Sequence, residues 1–213
     1  MLTQLVGLAP DSENWALVSQ QDLNDGGGPY SSVAFDSLTL DNKYLFVGRN
    51  IKAASSVSVK IWAVFRSSGV DTTHTVQWTS SGYVVSSVPG GSTVSDTVTA
   101  TYLPMNIDED NELLNHANVN YNDLWGLNFD MFMELGDQGT SDNQGIAVWN
   151  KSSGMELLSS SVPIAGCATH PSVTTNETPA NQIDGIRFYL STNSYAEVAG
   201  AAISCYRYTG SVL

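Results

Sequence analysis

Positive charge is what this sequence has least of: eight Lys and Arg stand against 21 Asp and Glu, a net of −13. Between Arg66 and Lys151 there is no basic residue at all, while eleven acids fall in that stretch. A surface this negative repels phosphate backbones and anionic leaflets, so nucleic acid and membrane surfaces are not expected as partners. Charge of either sign is scarce, at 14% of residues, against roughly 25% in an average soluble domain. Cysteine is almost missing. Cys167 and Cys205 make no disulfide framework, and Cys205, which alternates into a strand pattern, reads as a small buried hydrophobe. No stretch approaches the roughly 20 apolar residues of a spanning helix. Residues 1–10 lack the basic start and apolar run of a secretion signal, so synthesis in a cytoplasm without export is expected.

Catalytic signatures are missing too. There is no Gly-x-Ser-x-Gly elbow, no His-Glu-x-x-His, no phosphate loop and no Gly-x-Gly-x-x-Gly. His74, His116 and His170 are scattered without metal-ligand spacing and read as surface or loop residues. A carboxylate pair for glycoside hydrolysis is assembled in space, not in sequence, so it leaves no trace to find. The expectation is a protein that is not an enzyme.

What is present is alternation with a period of two. The clearest case is Trp125-Gly-Leu127-Asn-Phe129-Asp-Met131-Phe-Met133-Glu-Leu135, whose six large apolar residues fall on one face of a strand. That strand is expected at the centre of a sheet. Similar runs are Val33 to Leu40, Tyr44 to Gly48, Val57 to Phe65, His74 to Trp78, Gly145 to Trp149, Ile183 to Leu190 and Ala202 to Tyr208, with Trp15 to Val18 opening the series. Turn chemistry separates them: Asp25-Gly26-Gly27-Gly28-Pro29, Ser80-Ser81-Gly82, Pro89-Gly90-Gly91-Ser92, Gly136-Asp137-Gln138-Gly139 and Ser152-Ser153-Gly154. Many short strands so spaced predict a sandwich, jelly roll or barrel. Only Asp108 to Asn118 reads as a short helix, and no linker, heptad or fixed-period repeat divides the chain.

Two groups of residues suggest ligands. In Asn106-Ile-Asp108-Glu-Asp110-Asn-Glu112, oxygen donors at alternate positions fit calcium, with Asp108, Asp110 and Glu112 as the metal candidates. The EF-hand pattern fails, because Leu113 stands where the sharp-turn Gly belongs, and a solvated acidic loop is the plainer reading. The Asp137 to Asn143 loop is a weaker version of the same idea. Trp62, Trp78, Trp125 and Trp149 could floor a sugar site by stacking. All four lie inside strand patterns, which favours core packing.

Three stretches, in order, resemble the small jelly-roll domains of tailed-phage virion proteins. Glu13-Asn-Trp15-Ala-Leu17-Val18 is similar to their Trp-containing opening strand. Tyr44-Leu-Phe46-Val-Gly-Arg49-Asn50-Ile51, followed by Val57-Ser-Val59-Lys-Ile61, resembles their second element. Ile183-Asp-Gly-Ile186-Arg187-Phe188-Tyr189-Leu190, a Ser/Asn turn, and Gly200-Ala-Ala-Ile203-Ser-Cys205-Tyr206 resemble their closing hairpin. The chain departs from that pattern in Arg207-Tyr208, where Gly-Ile is common, and in Ser191-Thr-Asn193-Ser194, which lacks the usual Gly.

The resemblance implies an all-β fold, a single antiparallel β-sandwich of the jelly-roll type over residues 15–213 behind an N-terminal arm over 1–14. It implies a non-enzymatic protein displayed on a tailed-virus particle: a capsid decoration or head-surface subunit, or a fibre knob. Assembly in the host cytoplasm, homotrimers, contacts with other virion proteins and no cofactor come with it. Two rival readings stand beside it: a receptor- or carbohydrate-binding module, on a tail fibre or free as a lectin, supported by the tryptophans, and a glycan-active enzyme with a carboxylate pair assembled in space.

Overall fold

Alternation sends successive side chains to opposite faces, so a chain that alternates throughout buries its apolar faces by stacking one sheet on another. The computed structural model describes residues 14–28, 30–52, 61–73, 76–84, 92–100, 103–104, 125–136, 143–156, 162–169, 173–176, 182–190, 195 and 199–210. Among these residues every helix-or-strand element is a strand. In chain order they are β1 (Trp15–Asp22), β2 (Ser32–Phe35), β3 (Asn42–Ile51), β4 (Ile61–Ser67), β5 (Val70–Asp71), β6 (Val76–Val84) and β7 (Ser92–Ala100). There follow β8 (Leu103–Pro104), β9 (Trp125–Leu135), β10 (Asn143–Glu156), β11 (Val162–Thr169), β12 (Val173–Asn176), β13 (Gly185–Leu190) and β14 (Ala202–Tyr208).

Two antiparallel sheets result. The larger runs β1-β14-β3-β9-β10-β11-β6-β7, with β12 also on β10; the smaller runs β2-β13-β4-β5, with β8 also on β4. The first strand thus lies beside the last and the second beside the last but one, and these two closing strands then separate β1 from β3 and β2 from β4. Long-range pairing of this kind brings the two ends of the described chain into one layer.

The core lies between the sheets. Phe188 of β13 meets Phe46 of β3 at 5.5 Å and Phe129 of β9 at 5.2 Å between ring centroids. Phe35 of β2 meets Phe46 at 5.5 Å. Each such side chain contributes about 1.5–3 kcal/mol by leaving water. The strand Trp125–Leu135 is central, as its pattern predicts, flanked by β3 and β10. Phe129, Met131 and Met133 point inward, essentially without solvent contact, and Leu135 joins them; the Trp125 and Leu127 side chains lie outside the described residues. Cys205 is a buried core residue, and burial pushes its thiol up to about 12.

The turn readings divide. Asp25-Gly26-Gly27-Gly28 does turn between β1 and β2, with Gly26 at φ 78° and Asp25 Oδ1 accepting from Gly27 N–H at 2.8 Å. Ser80-Ser81-Gly82 and Ser152-Ser153-Gly154 do not turn. The first is inside β6 and the second inside β10, where Gly82 and Ser152 both pair with Gly166 of β11. Small residues facing one another across a ladder keep the strands paired without needing a reversal. Conversely, the Val33 to Leu40 run stops being strand at Phe35, because Ser37 takes φ 57°. Leu38 is nonetheless buried in the core, its N–H donating to Asp184 O at 2.7 Å. The short helix expected over 108–118 lies outside the described residues.

Candidate interaction surfaces

Of the residues singled out as ligand candidates, Asp108, Asp110 and Glu112 lie outside the described residues, as do His74, His116 and His170. Among the described residues no group of three or more His, Cys, Asp or Glu could hold a metal ion. Trp78, Trp125 and Trp149 lie in β6, β9 and β10, with side chains outside the described residues. Trp62 differs from the expectation. It is half-buried, is not part of the core cluster, and stands on the outer face of the smaller sheet. The inward positions of β4 are Ile61, Ala63 and Phe65, so alternation turns Trp62, Val64 and Arg66 outward.

On that face the register sets Trp62 opposite Tyr189, Val64 opposite Arg187, and Arg66 opposite Gly185. Trp62 meets Tyr189 edge to face at 5.6 Å. The Arg187 guanidinium lies 4.5 Å over the centre of the Tyr189 ring, a cation–π contact. It also grips Asp71 with two nitrogens, Nε donating to Oδ1 at 3.0 Å and Nη2 to Oδ2, the fork geometry that only arginine offers. Arg66 Nε stands 3.1 Å from Asp36 Oδ1 and 3.7 Å from Asp71 Oδ1 as an ion pair, though among the described residues no acceptor lines up with its N–H as a hydrogen bond. Arg66 also donates through Nη2 to Gly69 O.

Gly185 makes this crossing possible. It lies in β13 between β2 and β4, and a Cβ there would sit 2.8 Å from both Asp36 Oδ1 and Phe35 O. The Asp36 carboxylate reaches Arg66 by passing over a residue with no side chain. The adjoining hairpin is held as well: Ser68 at φ 50° and Gly69 at φ 78° make the two positive-φ positions of a two-residue loop, and Asp184 Oδ1 accepts from Ser68 N–H at 2.9 Å. Burial raises the Tyr189 hydroxyl above its ordinary value, with Arg187 opposing the shift and Asp71 reinforcing it. Asp36 and Asp71 each face an arginine here, and the Tyr189 ring carries Arg187. The row is a staple across the smaller sheet, with the indole of Trp62 at one end.

The outer face of the larger sheet is different. Its inward positions are Tyr44 and Phe46 of β3, Met131 and Met133 of β9, and Ile203 and Cys205 of β14. The alternate positions form a row in which Leu17, Tyr206, Leu45 and Phe132 stand side by side across four strands. Trp15 packs edge-on against Tyr208 at 5.3 Å and Phe132 at 6.0 Å. Leu45 is buried although it is outside the core cluster, while Leu17 is 56% and Phe132 37% exposed. Ion pairs flank the row, Lys43 with Glu134 at 3.8 Å and Arg49 with Asp130 at 2.6 Å. Beside it, β1 carries a bulge between Leu17 and Ser19 that leaves Val18 unpaired and 49% exposed.

Sequence reasoning did not find this apolar row, although Trp15 and Leu17 stood in its opening strand. No family model, no curated protein and no solved structure matches the chain.

Proposed function

We propose that this chain is a non-enzymatic structural protein displayed on a tailed-virus particle, a capsid decoration or head-surface subunit or a fibre knob, folded as a jelly roll. The observation that carries the reading is the nested strand order. β1-β14-β3-β9 in one layer and β2-β13-β4-β5 in the other is the order that supports a jelly roll, in which the chain is rolled up from both ends into two four-stranded sheets. The remaining strands, β10, β11, β12, β6 and β7, extend one layer beyond β9. The face chemistry agrees with a role in contacts: one outer face is apolar and aromatic, and the other is a closed ion-pair staple.

On this reading the chain assembles in the host cytoplasm, packs as a homo-oligomer for which the resemblance suggests a trimer, and attaches to other virion proteins. Its acidic remainder docks on a basic surface, so attachment weakens as salt rises, screening acting over ~8–10 Å. Mass spectrometry of gradient-purified particles tests it: the chain should be found at a fixed stoichiometry to the major capsid or tail protein. Its absence from particles made by cells that express it overturns the proposal. One observation favours a second reading, a glycan-binding module: Trp62 and Tyr189 stand outward together. Glycan binding that Trp62→Ala abolishes, by a chain missing from particles, would select that reading instead.

A further inference from the structure

We infer that the apolar outer face of the larger sheet, at its β1 end, is where a second copy of this chain docks, through Trp15, Leu17, Leu45, Phe132, Tyr206 and Tyr208. The inference deepens the particle reading by assigning the contact between copies to one face, and it rests on that reading for the expectation that copies assemble.

Exposed large apolar side chains are few among the described residues: Leu17, Val18, Val70 and Phe132. Three of the four belong to this face or to the bulge at its border, and Val70 stands apart on the hairpin after β4. Clustered exposure of this kind marks a contact surface, whereas a single exposed residue does not. Aromatic anchors are the residues that carry contact energy, and Trp15, Phe132, Tyr206 and Tyr208 supply them.

Charge selects the occupant. The chain as a whole carries −13, so two copies repel wherever their acidic surfaces meet. The outward positions of β1, β14, β3 and β9 hold two cations, Lys43 and Arg49, and three anions, Asp22, Asp130 and Glu134, which leaves −1. Four of those five are paired with each other across β3 and β9. This is a surface where an identical, strongly acidic chain meets less repulsion than it would on the acidic remainder. A basic partner has no reason to choose it over the acidic remainder. Among the described residues β1 is the last strand of its sheet, and the bulge at Leu17–Ser19 breaks its regular alternation, which directs association onto the face and away from strand addition.

Sedimentation velocity of the full chain across a concentration series, at low and high salt, tests the inference. Self-association should appear at micromolar concentrations and strengthen with salt, because salt screens the repulsion between like-charged copies while leaving the apolar contact intact. Leu17→Asp should weaken it by roughly 30-fold or more, as expected for an anchor of an apolar contact. Leu17 is already half exposed, so this variant keeps its fold, which an unchanged melting curve checks. Val70→Asp, a charge placed on the hairpin, should leave association unchanged. A wild-type chain that stays monomeric at both salts overturns the inference, as does a Leu17→Asp variant that associates normally or a Val70→Asp variant that does not. A chain present in particles but monomeric in solution removes this contact and leaves the particle reading standing; a chain missing from particles that still associates through Leu17 does the reverse.

Discussion

Gly48→Ala is the sharpest probe of how the two sheets meet. Gly48 in β3 lies opposite Phe129 in β9, and a Cβ at that position would fall 2.6 Å from Cζ and 2.5 Å from Cδ1 of the Phe129 ring. The ring covers the glycine and reaches across the core to Phe188, 5.2 Å away. At 1% exposure it is enclosed within the core. Two effects oppose each other. Removing glycine's freedom from the unfolded chain stabilises by about 0.4–1 kcal/mol where the site accepts a side chain. Forcing a methyl group into a filled core costs about 1–3 kcal/mol. The clash wins, and Gly48→Ala should lose about 1–2 kcal/mol, or ~2–4 °C of melting temperature per kcal/mol. Phe129→Ala alone should lose about 3–5 kcal/mol through the cavity it leaves. On the Phe129→Ala background the added methyl enters vacated space, so Gly48→Ala should then be neutral or stabilising by up to about 1 kcal/mol. Equilibrium urea unfolding followed by tryptophan fluorescence and far-ultraviolet circular dichroism closes this cycle, coincidence of the two probes supporting two-state behaviour. If Gly48→Ala costs the same in both backgrounds, the ring does not lie over the glycine and the pairing of Gly48 with Phe129 is wrong.

Gly185→Ala should also destabilise by about 1–3 kcal/mol; Asp36→Ala should relieve only part of the loss, because the Phe35 carbonyl is as close to the new methyl as the carboxylate is. Full relief would mean that the backbone contact is not real. Arg187→Met, which keeps the stem over Tyr189 and deletes the fork to Asp71, should cost up to about 1 kcal/mol, since the pair is partly solvated. That loss should shrink in molar salt, and a salt-independent loss would point to packing instead of charge. Cys205 offers a pH test: burial lifts its thiol from 9.0 to about 12, so the folded chain keeps a proton that the unfolded chain gives up. Its contribution is therefore fully present below pH 9 and is lost as pH rises toward about 12. Tyr44 and Tyr195, raised by the same burial, add to that decline. Cys205→Ala should flatten the alkaline slope of stability against pH, and an unchanged slope would refute the buried-thiol account.

The sequence made the strands legible wherever one parity was apolar and the other polar. In Trp125–Leu135 that contrast announced both the strand and its inward residues, and Phe129, Met131 and Met133 are buried as the pattern requires. Turns and kinks were harder, because Gly and Pro mark only some of the positive-φ positions. Ser37, Asp41 and Asn50 take φ of 57°, 56° and 51° without being glycine. Asn50 is the clearest: its N–H donates to Asn128 Oδ1 at 3.0 Å and its side-chain Nδ2 to Ala199 O at 2.9 Å. Those partners lie 78 and 149 positions away, so no local window could have contained the reason for the bend. The Ser/Gly triplets inside β6 and β10 fail for the converse reason, since pairing with β11 supplies the ladder that overrides their turn preference.

The outer faces hid in a different way, and the signal for them was on the page of the sequence all along. Tyr44-Leu45-Phe46-Val47 and Trp62-Ala63-Val64-Phe65 are apolar at both parities. Read as alternation, such a run identifies a strand but leaves undecided which face is inward. Read as physics, it says more: an antiparallel strand with one face in water has no use for a continuous apolar run, so such a run implies that its second face is covered too. The structure answers in that sense. Leu45 and Val64 are 5% and 6% exposed, yet neither belongs to the core between the sheets. At Val64 the neighbours across the sheet are Arg187 on β13 and, two positions along β4, Trp62 and Arg66, and the long arginine stems with their carboxylate partners form a lid of the chain's own making. At Leu45 the neighbours are Tyr206 and Phe132, with the exposed Leu17 beyond Tyr206. One outer face is closed by charge and the other ends in hydrocarbon and aromatic rings facing water. That asymmetry is the physical reason for expecting the larger sheet, and not the smaller, to meet another copy of the chain.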